Sequence, residues 1–124
     1  MEMSKKEELD KILLDLKATG DVLGASVVSK DGLVIASDIS GTNPETFAAM
    51  SAAMAGAAET AAAELKQGGV NQIIVDAKKG KLVTINAGEN ALLVVIATPD
   101  VNLGLLLLEM GKASGRIISV LEGW

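Results

Sequence analysis

Four aspartates stand where the chain is expected to change direction: Asp31, Asp38, Asp76 and Asp100. Paired carboxylates could hold a hard cation or divide acid and base roles between them. Each has a plainer reason to be where it is. Asp31 falls at a hairpin tip, Asp38 in a loop, Asp76 just before a turn and Asp100 ahead of a helix, and acids favour turns and helix starts. Their spacing calls for no metal, so no metal site and no catalytic carboxylate is expected. Gly80, Gly88, Gly104, Gly111 and Gly115 raise the question of a nucleotide. A phosphate-binding loop needs a strand, a glycine-rich turn and a helix, closed by Lys-Ser or Lys-Thr. None of the five glycines has that setting, so neither a nucleotide nor any other cofactor is expected.

The chain of 124 residues contains no histidine and no cysteine. The usual general base near neutral pH, the commonest metal ligand, thiolate chemistry and disulfides are thereby removed. The sequence reads as a non-enzymatic one. Sixteen acidic residues outnumber eleven basic ones, for a formal charge of -5. A nucleic-acid partner is not expected from that balance, because a phosphate backbone attracts positive surface. The pair Lys78-Lys79, with Lys81 just beyond, is too small a patch to reverse this. The apolar stretches Ala91 to Ala97 and Leu103 to Leu108 are far shorter than the 18 or so residues that span a bilayer, so no membrane insertion is expected. The opening residues lack a signal peptide's continuous apolar segment, and a cytoplasmic location follows as the expectation.

Hydrophobic residues make up 49% of the chain, enough for one core, and residues 1–124 are expected to form a single domain. With one Phe and one Trp and no Tyr, that core must be aliphatic. Ser4 and Glu7 form a capping box ahead of a helix whose apolar stripe is Leu9, Ile12, Leu13 and Leu16, with Leu14 off the stripe and Gly20 as the stop. Two strands, Ala25 to Ser29 and Leu33 to Ser37, flank a Lys30-Asp31-Gly32 hairpin. Asn43-Pro44-Glu45 then supplies an N-cap, a first-turn proline and an acid, starting a helix of about 34 Å that reaches Lys66 or Gln67. Strands Val70 to Ala77, Lys81 to Ala87 and Ala91 to Thr98 follow, joined by turns too short for parallel crossovers. The last helix, Leu103 to about Glu122, puts Leu103, Leu106, Leu107, Met110, Ala113, Ile117 and Leu121 on a face opposite Lys112 and Arg116. The expected fold is an α/β three-layer sandwich of order α-β-β-α-β-β-β-α. Its five-stranded antiparallel sheet carries the central helix on one face and the terminal helices on the other.

The central helix is apolar nearly all round. Phe47, Met50, Met54, Ala58, Ala61 and Leu65 share a side and are expected to cover the sheet. A second stripe of small residues, Ala49, Ala52, Ala53, Gly56 and Ala63, interrupted by Thr60, faces away. Gly56 costs about 1 kcal/mol relative to Ala in a helix interior unless a close neighbour needs the missing methyl group. Alanine is also the best helix former, which by itself accounts for a rich alanine content. A twin helix is expected to cover the stripe in a homodimer with two-fold symmetry, with the strand from Val70 to Ala77 as the edge beside it. The expected dimer interface is therefore Ala49, Ala52, Ala53, Gly56, Thr60, Ala63, Asn71, Ile73 and Val75.

A first helix ending in Gly20, the hairpin Gly24 to Ala36, the Ala-rich helix with Phe47, Met50, Met54 and Ala58, the Leu92-Leu93-Val94-Val95 strand and the leucine-rich last helix form an ordered set. That set resembles the Roadblock/LC7 family, small dimeric domains related to dynein light chains and to the bacterial MglB proteins, and the resemblance runs from about Leu9 to Leu121. It implies a profilin- or longin-like shape, pairing of central helices, and a regulatory or scaffold role toward a small Ras-like GTPase. It also implies that Glu45, Glu59, Glu64 and Lys66 lie near such a partner. The second reading is a profilin-like domain that binds a small ligand, or a purely structural adaptor without a GTPase.

Overall fold

A computed structural model describes residues 2–122; Met1, Gly123 and the single tryptophan, Trp124, lie outside the described residues. Helix α1 (Lys5–Lys17) opens with the expected capping box. The Glu7 amide donates to Ser4 Oγ at 3.1 Å and the Ser4 amide donates to Glu7 Oε1 at 3.0 Å, so two otherwise orphaned donors are satisfied. The chain continues through β1 (Val22–Ser29), β2 (Val34–Asp38), α2 (Pro44–Glu64), β3 (Gln72–Ala77), β4 (Gly80–Asn86), β5 (Ala91–Ala97) and α3 (Leu103–Glu122). This is the order read from the sequence, with boundaries moved by a few residues. Strand β1 begins three residues earlier than expected because it pairs along its whole length with β5, from Val22 opposite Ala97 to Ser29 opposite Ala91.

All pairings are antiparallel and the strand order is β2-β1-β5-β4-β3. Strand β5, Ala-Leu-Leu-Val-Val-Ile-Ala, is apolar on both faces and lies at the centre, where both faces are covered. Gly80 begins β4 beside the end of β5. A Cβ there would stand 2.8 Å from the Ala97 carbonyl oxygen, so only glycine permits the approach. In the β1–β2 connection Gly32 has φ +92, the left-handed conformation that the turn demands.

Helices α1 and α3 lie together on one face of the sheet. Leu9, Leu13, Val27, Leu93, Met110 and Ile117 fill the larger core between them and the strands. Helix α2 lies alone on the other face, over a smaller cluster of Val28, Ala48, Leu92 and Val94. Ion pairs join elements at their margins: Lys17 Nζ of α1 is 2.9 Å from Asp38 Oδ1 of β2, and Arg116 Nη1 of α3 is 3.2 Å from Asp15 Oδ2 of α1. Arg116, read from the sequence as a solvated residue, therefore also bridges α3 to α1. Among the described residues, no helix is long and apolar enough to cross a membrane.

Adjacent leucines on α1 separate core from surface. Leu13 is fully buried, whereas Leu14 is 60% exposed. Leu13→Ala is expected to cost about 3 kcal/mol in urea denaturation, and Leu14→Ala about 0.5 kcal/mol or less. Equal losses would contradict the assignment of the α1 face.

Candidate protein-interaction surface

The residues expected to act together belong to α2 and β3. Asn43 caps α2, its Oδ1 accepting from the Thr46 amide at 2.9 Å, and Pro44 follows in the first turn. The helix ends at Glu64, and the chain turns through Lys66 (φ 56) and Gly68 (φ 85) toward β3. Glu59 Oε1 accepts from the Val70 amide at 3.2 Å, and Asn86 Nδ2 donates to the Val70 carbonyl at 3.2 Å. These two bonds tie the connection to α2 on one side and β4 on the other.

The side of α2 that meets the sheet matches the expected one only in part: Phe47, Met54 and Ala58 are half-buried. Its buried residues are Ala48 and Ser51, with Ala55 half-buried beside them. Met50 is 66% exposed and Leu65 70% exposed, so neither covers the strands, and Ala61 is exposed as well. The strands beneath already present Val28, Leu92 and Val94, and small residues on the helix let its backbone come down onto those side chains. Phe47 does pack against this cluster, as expected.

The small-residue stripe is divided in its surroundings. Ala52 is half-buried, and the β1–β2 turn reaches it: a Cβ on Gly32 would stand 3.3 Å from Ala49 Cα and 3.7 Å from Ala52 Cβ. Part of the stripe is therefore small so that the chain's own hairpin can approach. Ala49, Ala53, Gly56, Thr60 and Ala63 are at least partly open to solvent, and a Cβ on Gly56 would meet nothing within 4 Å. Thr60 turns its hydroxyl back to the Gly56 carbonyl at 3.0 Å. On the opposite flank of the same helix, Met50, Ala57 and Ala61 form a further exposed apolar row.

Strand β3 is an edge strand, paired among the described residues with β4 alone. It begins at Gln72, so Asn71 precedes it, within the connection, in a small cleft with Ala55, Glu59 and Thr84. Ile73 is half-buried, while Ile74 is 37% and Val75 38% exposed on opposite faces of the strand. An unpaired ladder edge flanked by apolar side chains is a ready surface for another chain. Glu45, at the start of α2, and Glu59, Glu64 and Lys66, toward its end, all reach solvent. Of these, Glu59 is already engaged with the Val70 amide.

Residues 8–97 match the Roadblock/LC7 domain family. The chain belongs to that family. It is 42% identical over 110 residues to the uncharacterised protein MJ0310 of Methanocaldococcus jannaschii, across 88% of this chain and 96% of the relative. The gliding protein MglB of Thermus thermophilus has the same fold, with a TM-score of 0.88 at 21% identity, over 100% of this chain and 96% of that one. An MglB in a tetrameric arrangement gives a TM-score of 0.89 at 20% identity, over 99% and 94% of the two chains.

In this Roadblock/LC7 domain two of the four aspartates at the turns are paired with lysines. Asp38 is held by Lys17 and Asp76 by Lys81, whose Nζ is 3.1 Å away. Among the described residues, no group of three or more Asp or Glu side chains is arranged to hold a metal ion. The exposed row through Met50, Ala57 and Ala61 was missed from sequence, because a helix apolar all round gives no periodic signal of its inward side. The bulky residues at Val28, Leu92 and Val94 were the available clue, since large strand residues call for small helix residues above them.

One electrostatic perturbation lies at the seam of α1 and α3. The hydrogen bond from Lys11, and then that from Arg116, hold the Asp15 carboxyl below the usual carboxylate range. A carboxyl whose folded pKa is depressed adds stability that is fully present above its unfolded pKa and is lost as pH falls through the folded value. Asp15→Asn is therefore expected to lower the melting temperature slightly at pH 7 and to leave it unchanged at pH 2. A larger deficit at acid pH than at neutral pH would refute that assignment.

Proposed function

We propose that this Roadblock/LC7 protein is a non-enzymatic, cytoplasmic scaffold that forms a homodimer through α2 and β3 and binds a small Ras-like GTPase. The observation that carries the self-association is β3, an unpaired edge strand with Ile74 and Val75 both open to solvent. A twin strand would complete the ladder, and a twin α2 would cover apolar surface that the single chain leaves bare. The contact extends from Ile73 and Val75 onto the exposed side of α2, through Met50, Ala53 and Ala57, with Gly56 and Thr60 at its margin. Ala49, Ala52, Ala63 and Asn71 are its outer fringe. Family membership supports the GTPase as partner, and the shared fold with MglB supports the same geometry. Glu45, Glu64 and Lys66 are the exposed charges nearest such a partner. The absence of histidine and cysteine supports a role in binding rather than turnover.

Sedimentation equilibrium is the first test. The wild type should run as a dimer at micromolar concentration, and Val75→Asp and Met50→Asp should each shift it to monomer while preserving the circular dichroism of the fold. A wild type that stays monomeric at high concentration would end the proposal. Gly56→Ala separates the two flanks of α2. With Gly56 only marginal, it should stabilise the helix by about 1 kcal/mol without weakening the dimer; a weakened dimer would move the twin helix onto the small-residue stripe. For the partner, the immobilised protein is mixed with each Ras-like GTPase encoded in the same genome, loaded with GDP or a non-hydrolysable GTP analogue. Retention of one of them is expected, and failure of all in both states would remove the GTPase from the proposal.

A further inference from the structure

Beside Ile35 near the start of β2, at the end of the sheet where β4 turns into β5, lies a groove that shares no residue with the proposed dimer contact. It is an open trough of about 620 Å³, running between the end of α3 and residues 87–91, with Ser29 of β1 and Ile35 of β2 along its side. Ile35, Ala91, Ile118 and Leu121 give it an apolar lining, and Glu89 and Glu122 contribute two carboxylates. No lysine or arginine lines it, and among the described residues neither carboxylate has an ion-pair or hydrogen-bond partner. Ile35 belongs to β2, whose far side is paired with no strand among the described residues.

An open edge, an apolar trough and two unneutralised carboxylates occur together here, and they call for one kind of occupant. An extended segment laid against β2 would satisfy the ladder, and main-chain bonds of that type give affinity while side-chain pockets give selectivity. One apolar side chain of that segment would enter the trough over Ile118 and Leu121. Flanking cations would neutralise Glu89 and Glu122, and the chain's charge of -5 would steer such a segment inward. A drug-sized molecule fits less well, since such ligands are usually enclosed over most of their surface and this trough is open. We propose that the β2 edge and its groove bind an extended segment of a partner protein in which an apolar side chain is flanked by lysine or arginine.

The test uses the isotopically labelled full chain and two blocked peptides, Lys-Val-Leu-Val-Lys and its charge-inverted form Glu-Val-Leu-Val-Glu. The cationic peptide should shift the amide resonances of Ile35, Gly88 and Ala91. The double variant Glu89→Lys with Glu122→Lys should lose about tenfold or more in affinity for it and gain the acidic peptide instead. A gain of binding cannot come from a variant that fails to fold. No shifts at millimolar peptide, shifts elsewhere, or an equal response to both peptides would overturn the proposal. Two other occupants would overturn it as well. Blue-shifted Trp124 emission that moves to the red in Ile118→Asp would assign the groove to the chain itself. Concentration-dependent shifts of the same amides without peptide would assign it to a second copy.

Discussion

Three helices cannot cover both faces of a five-stranded sheet. Strands about 4.8 Å apart make a sheet about 24 Å wide, and a helix with its side chains is about 10 Å across. Two helices, α1 and α3, nearly span one face, whereas α2 alone leaves more than half of the other face without a helix above it. The shortage falls at β3, the outermost strand, whose residues are almost all exposed. At the centre, β5 and most of β1 are buried on both sides. Stability is therefore concentrated around β1 and β5, and apolar surface in search of cover is concentrated around β3.

The close seating of α2 decides what that surface looks like. Val28, Leu92 and Val94 rise from the strands, so the helix approaches with Ala48, Ser51 and Ala55. The methionine and leucine that would elsewhere fill a core are displaced outward, where Met50 and Leu65 stand in solvent. A helix of this composition stabilises the monomer modestly and offers much to a second molecule. The hairpin that carries Gly32 also approaches the small-residue stripe, half-burying Ala52 and leaving Ala49 exposed.

Charge in this protein organises margins and partners. Lys17 and Asp38, Asp15 and Arg116, and Asp76 and Lys81 are surface or half-buried pairs that fix how elements meet, each of modest energetic weight. The acidic excess remains on the outside, including the groove at the β2 edge. The two edges of the sheet thus differ in kind: β3 is flanked by apolar side chains, and β2 adjoins, at Ile35, a groove that carries carboxylates.

Local order was legible in the residues themselves. The Ser4 and Glu7 box, Asn43-Pro44, the Lys30-Asp31-Gly32 turn and the short connections around Gly80 and Gly88 each act within a few positions, so the eight elements, their antiparallel sense and the layers could be read in advance. The ordered set of elements was also enough to place the chain in the Roadblock/LC7 family. Two matters depended on contacts distant along the chain. The neighbours of β5 are β1 and β4, and no local pattern dictates that β1 closes on a strand more than sixty residues away. The inward side of α2 was equally hidden, because a helix apolar all round can turn any face to the sheet. Only the height of the strand side chains beneath it settled the choice, putting Ala48 and Ser51 inside and leaving Met50 outside.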